Sequence, residues 1–335
     1  MRTFLKAFIV SFLAFFVAFY LGTRVSLVHN SKISGDMDIG FAENIHKPNR
    51  LLTKFESQPS EPEEFSSLEE AFEKSQRLNF IILGMEDVRT DTIVLGSLCQ
   101  RTKTVDLIAI PRDTYIHRKG YDEGGKRRIN SVYQDHGISG VKQTISYIMA
   151  GIPLHYYVII DYEGVEKLVD LVGGVEVDVP FHMKYRDSSS DPPLDIDIKE
   201  GRQLLKGKEA LDFIRYRKGN NRMGYPDGDL GRIKAQQAFL KAFASKAMDN
   251  LVPIISKGLK YIETDLRLME ALTYGRNMIG ASSEDIRFRL LPGKPDLREV
   301  DKRIYSYYIY NDMETKAMLE EIYNVRGQGI NKAVD

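Results

Sequence analysis

The stretch HYYVIIDYEGVEKLVDLVGGVEVDVP, from His155 to Pro180, indicates the fold class most clearly. It opens with an apolar run that predicts a buried strand. The next segment, YEGVEKLVDLVGG, has apolar residues at intervals of three and four and ends on two glycines, so it predicts an amphipathic helix with a defined end. VEVDVP then predicts a second, short strand. Strand, helix and strand in this order are typical of an α/β fold.

The same alternation continues along the chain on both sides of this stretch. Towards the N-terminus, NFIILG, TIVLGSL and TVDLIAI are predicted strands, and NSVYQDHG and GVKQTISYIMAG are helical in pattern. Towards the C-terminus, DIRFRLL and RIYSYYIYN are predicted strands, and the predicted helices are KGKEALDFIRYR, LGRIKAQQAFLKAFASKAM, TDLRLMEALTYGRNMI and DMETKAMLEEIYN. We therefore predict a layered α/β/α sandwich around a central mixed sheet.

The N-terminus carries an uncharged run from Ala7 to Thr23, with Arg2 and Lys6 before it and Arg24 after it. A transmembrane helix needs about 20 apolar residues, and the run reaches this length if it continues past the arginine. We predict one uncleaved, single-pass helix in the cell membrane, with its positive flank in the cytoplasm and the rest of the chain outside. A cleaved signal peptide is the alternative, although no A-x-A-like site is obvious.

Composition divides the chain into an anchor, a linker and one domain. Residues 1–28 are the predicted cytoplasmic N-terminus and anchor, 29–77 a polar linker with a short helix capped by Ser67, and 78–335 the extracytoplasmic domain. The formal net charge is zero, with 47 basic and 47 acidic residues, which argues against a general nucleic-acid binder. The single cysteine, Cys99, excludes an internal disulfide and lies in an apolar stretch, so we predict that it is buried.

Charged residues concentrate in three segments near the ends of predicted strands and helices. Ligand sites in layered α/β proteins gather at the carboxyl ends of strands, so we expect the three segments to meet at one edge of the sheet. The segments are GMEDVRTDT with Glu86, Asp87, Arg89 and Asp91, IPRDTYIHRKGYDEGGKRRIN with Arg112, Asp113 and Arg128, and FIRYRKGNNRMGYPDGDLGRIKAQQ with Arg215, Arg217, Arg232 and Gln236.

These residue types suit a phosphate site that contains a metal. Converging arginines repel each other unless an anion lies between them, and a guanidinium group binds phosphate oxygens in pairs. Clustered carboxylates suit Mg²⁺, which takes one or two carboxylates together with phosphate oxygens. Simpler interpretations exist for each group: a solvated surface for the basic run, a turn cap for Asp91, and helix-terminal charges for Arg215 and Arg217.

The order of these motifs resembles that of the LytR–CpsA–Psr family of membrane-anchored, cell-wall phosphotransferases. From Leu78 onward the motifs are NFIILG, RTDT, AIPRDT, RIN, VIIDYEGVEKLVDLVGGVEVDVP, GKEALDFIRYR, GDLGRIKAQQ, TDL and LPG. The resemblance implies a bacterial, Mg²⁺-dependent enzyme. Such an enzyme takes a glycopolymer, such as teichoic acid or capsule, from a polyprenyl pyrophosphate carrier and joins it to peptidoglycan through a phosphodiester. It also implies an apolar channel for the lipid.

Matching the motifs assigns roles to individual residues. Arginines would grip the pyrophosphate, Asp91 would approach the metal or act as a base, and Asp113 would be a positioning group. The resemblance thus implies catalytic roles for Asp91, Arg112, Arg215 and Arg217, substrate binding by Arg89, Asp113, Arg128, Arg232 and Gln236, and metal binding by Asp91, Glu86 and Asp87.

The chain departs from the family pattern near the predicted metal site. Glu86 stands where the family usually has an aspartate, the loop before Arg89 is short, and Ala235 replaces a common arginine. Two alternatives to a transferase therefore stay open: a hydrolase of the same lipid-linked intermediate, and a non-catalytic receptor for wall polymers. Candidate walls of the lipid channel, for which ordinary core is the alternative, are Ile108, Ile110, Val158, Ile160, Phe213 and Phe239.

Overall fold

The structure is a computed structural model. It describes residues 63–86, 89–189, 193–216, 218–220, 224–225, 235, 238–239, 241–243, 245–247, 254 and 257–326. The predicted anchor at 1–28 lies outside the described residues. Within the described residues, no helix has the length and apolar character that a membrane span requires.

The described chain alternates strands and helices, as its sequence pattern predicts. The helices are α1 Leu68–Lys74, α2 Val132–Ile148, α3 Tyr162–Leu171, α4 Gly207–Arg215, α5 Leu268–Asn277 and α6 Asp312–Tyr323. The strands are β1 Arg77–Glu86, β2 Arg89–Cys99, β3 Thr104–Ala109, β4 Tyr156–Ile160, β5 Val175–Val179, β6 Met183–Asp187, β7 Leu194–Ile198, β8 Gly201–Leu205, β9 Glu263–Thr264, β10 Ile286–Leu290, β11 Gly293–Val300 and β12 Arg303–Tyr310.

Six strands form a central mixed sheet in the order β10–β3–β2–β1–β4–β9. β1 runs parallel to β4 and β3 runs parallel to β10, whereas β2 and β9 are antiparallel to their neighbours. The carboxyl ends of β1, β3, β4 and β10 therefore lie at the same edge as the first residues of β2. We call this edge the top edge. The arrangement confirms the predicted α/β fold with a central mixed sheet.

Helices cover both faces of the sheet. Along β1, Phe80 and Ile82 belong to one buried cluster with α3, α4 and α5, while Ile81 and Leu83 belong to another with α1, α2 and α6. All four side chains are almost fully buried, because successive residues of a strand point to opposite faces and both faces are covered. The sheet is thus the middle layer of an α/β/α sandwich.

The predicted Ser67 cap and the predicted double-glycine helix end are found where the sequence places them, and Asp161 is a further cap that was not predicted. Asp161 Oδ1 accepts a hydrogen bond of 2.7 Å from Gly164 N and caps α3, and α3 is followed by Gly173 and Gly174 at φ +81° and +90°. Ser67 Oγ accepts from Glu70 N at 3.2 Å at the start of α1. Cys99 is free and buried, as predicted.

Two parts of the sequence interpretation need correction. The hairpin β6–β7 and the strands β8 and β11 were not expected, because their residues are mostly polar and half exposed. The residues predicted to line one apolar channel also do not share one surface. Ile108 and Ile110 lie in the cluster of α1, α2 and α6, whereas Val158, Ile160, Phe213 and Phe239 lie in the cluster on the other face of the sheet.

His155 makes the stability of this fold depend on pH. Its Nδ1 accepts a 2.9 Å hydrogen bond from Asn79 N, and burial lowers the pKa of the imidazole. The folded pKa thus lies below the unfolded value of about 6.5, so this stabilisation is present above that pH and is lost as the pH falls. We predict a lower free energy of unfolding in urea at about pH 5 than at about pH 7.5, and a smaller difference in His155→Gln. An identical pH dependence in both proteins would contradict this.

Candidate functional site

The hairpin of β1 and β2 carries the first charged segment to the top edge. Glu86 pairs with Arg89 at the end of the hairpin. Gly84 pairs with Thr92 and Met85 pairs with Thr90, which leaves Asp91 as an extra residue on β2. A β-bulge of this kind changes the direction of the strand and is common beside active sites. The backbone of Asp91 therefore occupies an irregular position at the top edge.

The second charged segment starts beside this bulge. Ile110 N donates a 2.9 Å hydrogen bond to Ile93 O, so the pairing of β3 with β2 continues toward Arg112 and Asp91. Asn130 N donates to Arg112 O at 3.2 Å, and Thr90 Oγ1 donates to Asn130 O at 3.4 Å. Three sequence motifs, RTDT, IPRDT and RIN, are thus held together at one place.

Arg215 reaches the same edge from the other side of the site. It is the last residue of α4, and its guanidinium carbon lies 4.3 Å from the centre of the Tyr162 ring. Tyr162 begins α3 directly after β4, whose Ile160 pairs with Gly84 at the end of β1. Stacking on an aromatic face orients a guanidinium group, and its N–H groups then point outward in the guanidinium plane. The role of Tyr162 could not be inferred from the sequence.

Arg128 and Asp113 connect the site to the hairpin β11–β12. Arg128 Nη2 donates to Ser306 O at 2.9 Å, and Arg128 Nε lies 3.4 Å from Asp113 Oδ1. The Arg128 guanidinium also lies 5.8 Å from the ring centres of Tyr305 and Tyr307. About a quarter of the Arg128 side chain stays exposed, with 26% of its surface accessible. The geometry lets Arg128 hold the loop while still facing solvent.

A buried arginine, Arg118, holds together the loop between Arg112 and Arg128. Arg118 Nη1 donates to Asp135 Oδ2 at 3.0 Å, and its Nη2 donates to Ser131 Oγ at 2.8 Å and to Lys126 O. The sequence pattern did not single out Arg118, since nothing in the spacing of the basic residues distinguishes a buried arginine from an exposed one.

Asp212 lies three residues before Arg215 on α4 and was also missed. Lys208 Nζ donates to Asp212 Oδ2 at 2.6 Å. Burial raises the pKa of Asp212, while the charges of Lys208 and Arg215 act in the opposite direction. Residues three apart share a helix face, so Asp212 adds negative charge close to Arg215.

Several predicted site residues lie outside the described part of the chain. They are Asp87, Arg217, Arg232 and Gln236, together with the side chains of Glu86 and Asp91. The described ones are Arg89, Arg112, Asp113, Arg128 and Arg215; Arg89 is exposed and is the first residue of β2. Among the described side chains, no group of three or more His, Cys, Asp or Glu could hold a metal ion.

The contacts of Arg118 generate a stability prediction. Replacing Arg118 by Met removes three hydrogen bonds from a buried position, one of them to the carboxylate of Asp135, so the free energy of unfolding should fall by about 3 kcal/mol. Urea denaturation measures this change. As a control, Lys74→Ala removes an exposed ion pair with Glu70 and should leave the unfolding midpoint nearly unchanged. Equal effects of the two substitutions would show that Arg118 does not hold the loop.

Known proteins match this chain in sequence and fold. The polyisoprenyl-teichoic acid–peptidoglycan teichoic acid transferase TagV of Bacillus subtilis is 30% identical over 225 residues, which is 64% of this chain and 56% of TagV. A protein of the same description, TagU of Oceanobacillus iheyensis, is 27% identical over 285 residues, covering 79% of this chain and 81% of TagU. The crystal structure of B. subtilis TagV matches with a TM-score of 0.59 and 26% identity, over 76% of this chain and 99% of that one.

The chain also matches a whole protein family. Residues 44–324, well over half of the chain, match the LytR_cpsA_psr family. The chain therefore belongs to the LytR_cpsA_psr family.

Proposed function

We propose that this protein transfers a glycopolymer from a polyprenyl pyrophosphate carrier to peptidoglycan, forming a phosphodiester. The observation that carries the proposal is that the segments bearing Arg112 and Arg215 belong to separate elements and both reach the top edge, where β2 has its bulge at Asp91. The names of TagV and TagU support a teichoic acid as the polymer. The predicted N-terminal anchor supports a protein of the cell membrane whose domain lies outside the cytoplasm.

The arginines of the top edge would bind the pyrophosphate. Guanidinium groups pair with phosphate oxygens and keep their charge at any relevant pH. Arg112 follows β3 and Arg215 ends α4, so the two side chains come from different directions. Arg217 and Arg232, which follow Arg215 in the same charged segment of the sequence, would also bind the pyrophosphate. This arrangement favours an extended anion such as pyrophosphate over a single carboxylate.

The transfer itself would be a displacement at phosphorus. The acceptor hydroxyl of peptidoglycan attacks the phosphorus that carries the glycopolymer, and the bond from that phosphorus to the bridging oxygen breaks. Polyprenyl phosphate leaves with the bridging oxygen and its negative charge, which the arginines stabilise. The hydroxyl proton passes to Asp91 or to water beside it. The product is a phosphodiester between glycopolymer and peptidoglycan.

Glu86, Asp87 and Asp91 would hold Mg²⁺. Glu86 pairs with Arg89 at the end of one hairpin and Asp91 occupies the bulge on its second strand, so the backbones of Glu86 and Asp91 are close together. Asp87 follows Glu86 in the sequence. Carboxylate oxygens are the ligands that Mg²⁺ takes alongside phosphate oxygens. When bound there, the ion would neutralise charge on the phosphate oxygens.

The proposal is tested by transfer from a synthetic lipid-linked donor to a peptidoglycan oligomer. We predict that Asp91→Ala and Arg217→Ala each lower the rate at least about 100-fold while the domain stays folded. Arg202→Ala is a matched control, since Arg202 is exposed and pairs with Glu176 on β5. Normal transfer by both site variants would refute the assignment.

The same assay separates the alternative functions. Donor is incubated with and without the peptidoglycan oligomer. A transferase consumes donor at a rate that depends on the oligomer. Rapid loss of donor without the oligomer would favour a hydrolase, and donor binding without turnover would favour a receptor.

Tyr162 gives a finer test of how Arg215 is held. Tyr162→Leu removes the aromatic face, which contributes about 1 kcal/mol, so the KM for the donor should rise about fivefold. Tyr162→Phe keeps the face and should retain a KM close to that of the wild type. If Phe and Leu raise the KM equally, the ring does not position Arg215.

A further inference from the structure

The hairpin β11–β12 projects from the top edge of the sheet. Its base is tied to that edge, where Leu291 N donates to Ala109 O at 2.9 Å and Asn311 N donates to Pro292 O at 2.9 Å. The strands pair as far as Val300 and Arg303, and the two turn residues between them have positive φ. Eight residues of strand extend about 25 Å from the base, so the tip lies well away from the sheet.

Exposed hydrophobic side chains concentrate on this part of the chain. Of the eight large, exposed hydrophobic residues in the described chain, four lie between positions 290 and 313. Leu297 pairs with Ser306 and Ile304 pairs with Glu299, which places Leu297 and Ile304 on the same side of the hairpin. The four residues and their exposed fractions are Leu290 45%, Leu297 70%, Ile304 75% and Met313 81%. Leu290 and Met313 flank the base of the hairpin, whereas Leu297 and Ile304 form an exposed apolar pair near its tip. Exposed apolar side chains that lie side by side are typical of an interaction surface.

The hairpin is held firmly against the loop that carries Arg112. Tyr307 OH donates to Gly124 O at 2.8 Å, and Tyr308 N donates to Asp113 O at 2.9 Å. The Tyr305 ring packs so closely on Gly124 that a Cβ at that position would collide with it. The exposed side of the hairpin therefore has a defined position relative to the site.

We infer that the exposed side of this hairpin enters the surface of a phospholipid membrane next to the site. The inference rests on the proposed function: the polyprenyl tail of the carrier lies in the membrane, so the top edge has to approach the membrane surface. Lysine and arginine side chains can keep their charges at the phosphate level while neighbouring aliphatic groups enter the lipid. Glu299 pairs with Ile304 and so lies on the same side of the hairpin as the two aliphatic residues. Over the whole hairpin, the cations Lys294, Arg298, Lys302 and Arg303 outnumber the carboxylates Asp296, Glu299 and Asp301 by four to three.

The absence of tryptophan from the sequence allows a direct test. Ile304→Trp introduces a single reporter at the hairpin tip. Ile279→Trp is the matched control, because Ile279 is also exposed, at 62%, but lies at the opposite edge of the sheet. Its carbonyl oxygen accepts a hydrogen bond from Lys103 Nζ, in the turn between β2 and β3. The full-length variants are reconstituted into vesicles of phosphatidylglycerol and phosphatidylcholine with brominated acyl chains.

If the hairpin inserts, brominated lipid should lower the tryptophan fluorescence of the Ile304→Trp protein at least about twofold, and the emission maximum should shift to the blue. The tryptophan fluorescence of the Ile279→Trp protein should not change. Adding Leu297→Asp to the Ile304→Trp protein should largely remove the quenching. Absence of quenching at position 304, or equal quenching at both positions, would overturn the inference.

Transfer measured in the same vesicles separates this inference from the proposed function. Transfer by the Ile304→Trp protein without quenching would overturn membrane insertion and leave the transferase proposal intact. Quenching of the Ile304→Trp protein, together with no transfer by the wild-type protein in the same vesicles, would support insertion and contradict the transferase proposal.

Discussion

Like charges that lie near one another repel, and the segments that carry Arg112, Arg128 and Arg215 all reach the top edge of the sheet. Four strands that run in the same direction bring their carboxyl ends to that edge. Arg215 is oriented by the face of Tyr162, and Arg128 by Asp113 and the carbonyl of Ser306. A cluster of fixed cations is stabilised when an anion enters it, which is the physical basis for proposing a pyrophosphate substrate.

Two sets of contacts hold the loop after β3 in place, one inside the loop and one from the hairpin β11–β12. Inside the loop, the buried Arg118 donates hydrogen bonds to Asp135 and Ser131 and so ties the loop to the start of α2. Outside it, the hairpin β11–β12 pairs with Asp113 and Tyr115 through Tyr308 and covers Gly124. Both supports act on the segment from Arg112 to Arg128, so the stability of the domain and the geometry of the site are coupled. The hairpin also carries the exposed hydrophobic side chains that we assign to the membrane surface.

Apolar periodicity predicted the central strands and the helices beside them, since buried elements have the clearest pattern. The same signal failed for β6, β7 and β11, whose residues face solvent on one or both sides. Ile108 and Ile110 show a different limit: a strand pattern reveals which residues share a face, but which helices cover that face depends on the sheet order. Tyr162 and Arg118 were missed because their roles depend on contacts with residues distant in sequence. The basic residues of the site could be proposed from their motifs, because each motif follows a strand or helix end.

Binding of a polyprenyl carrier's head group by the arginines of the top edge can be examined by native mass spectrometry of the full-length protein purified in mild detergent. We expect the wild-type protein to retain a polyprenyl phosphate or pyrophosphate and the Arg215→Ala protein to lose it. No bound polyprenyl species on the wild type after incubation with the carrier, or equal amounts on both proteins, would show that these arginines do not hold the head group.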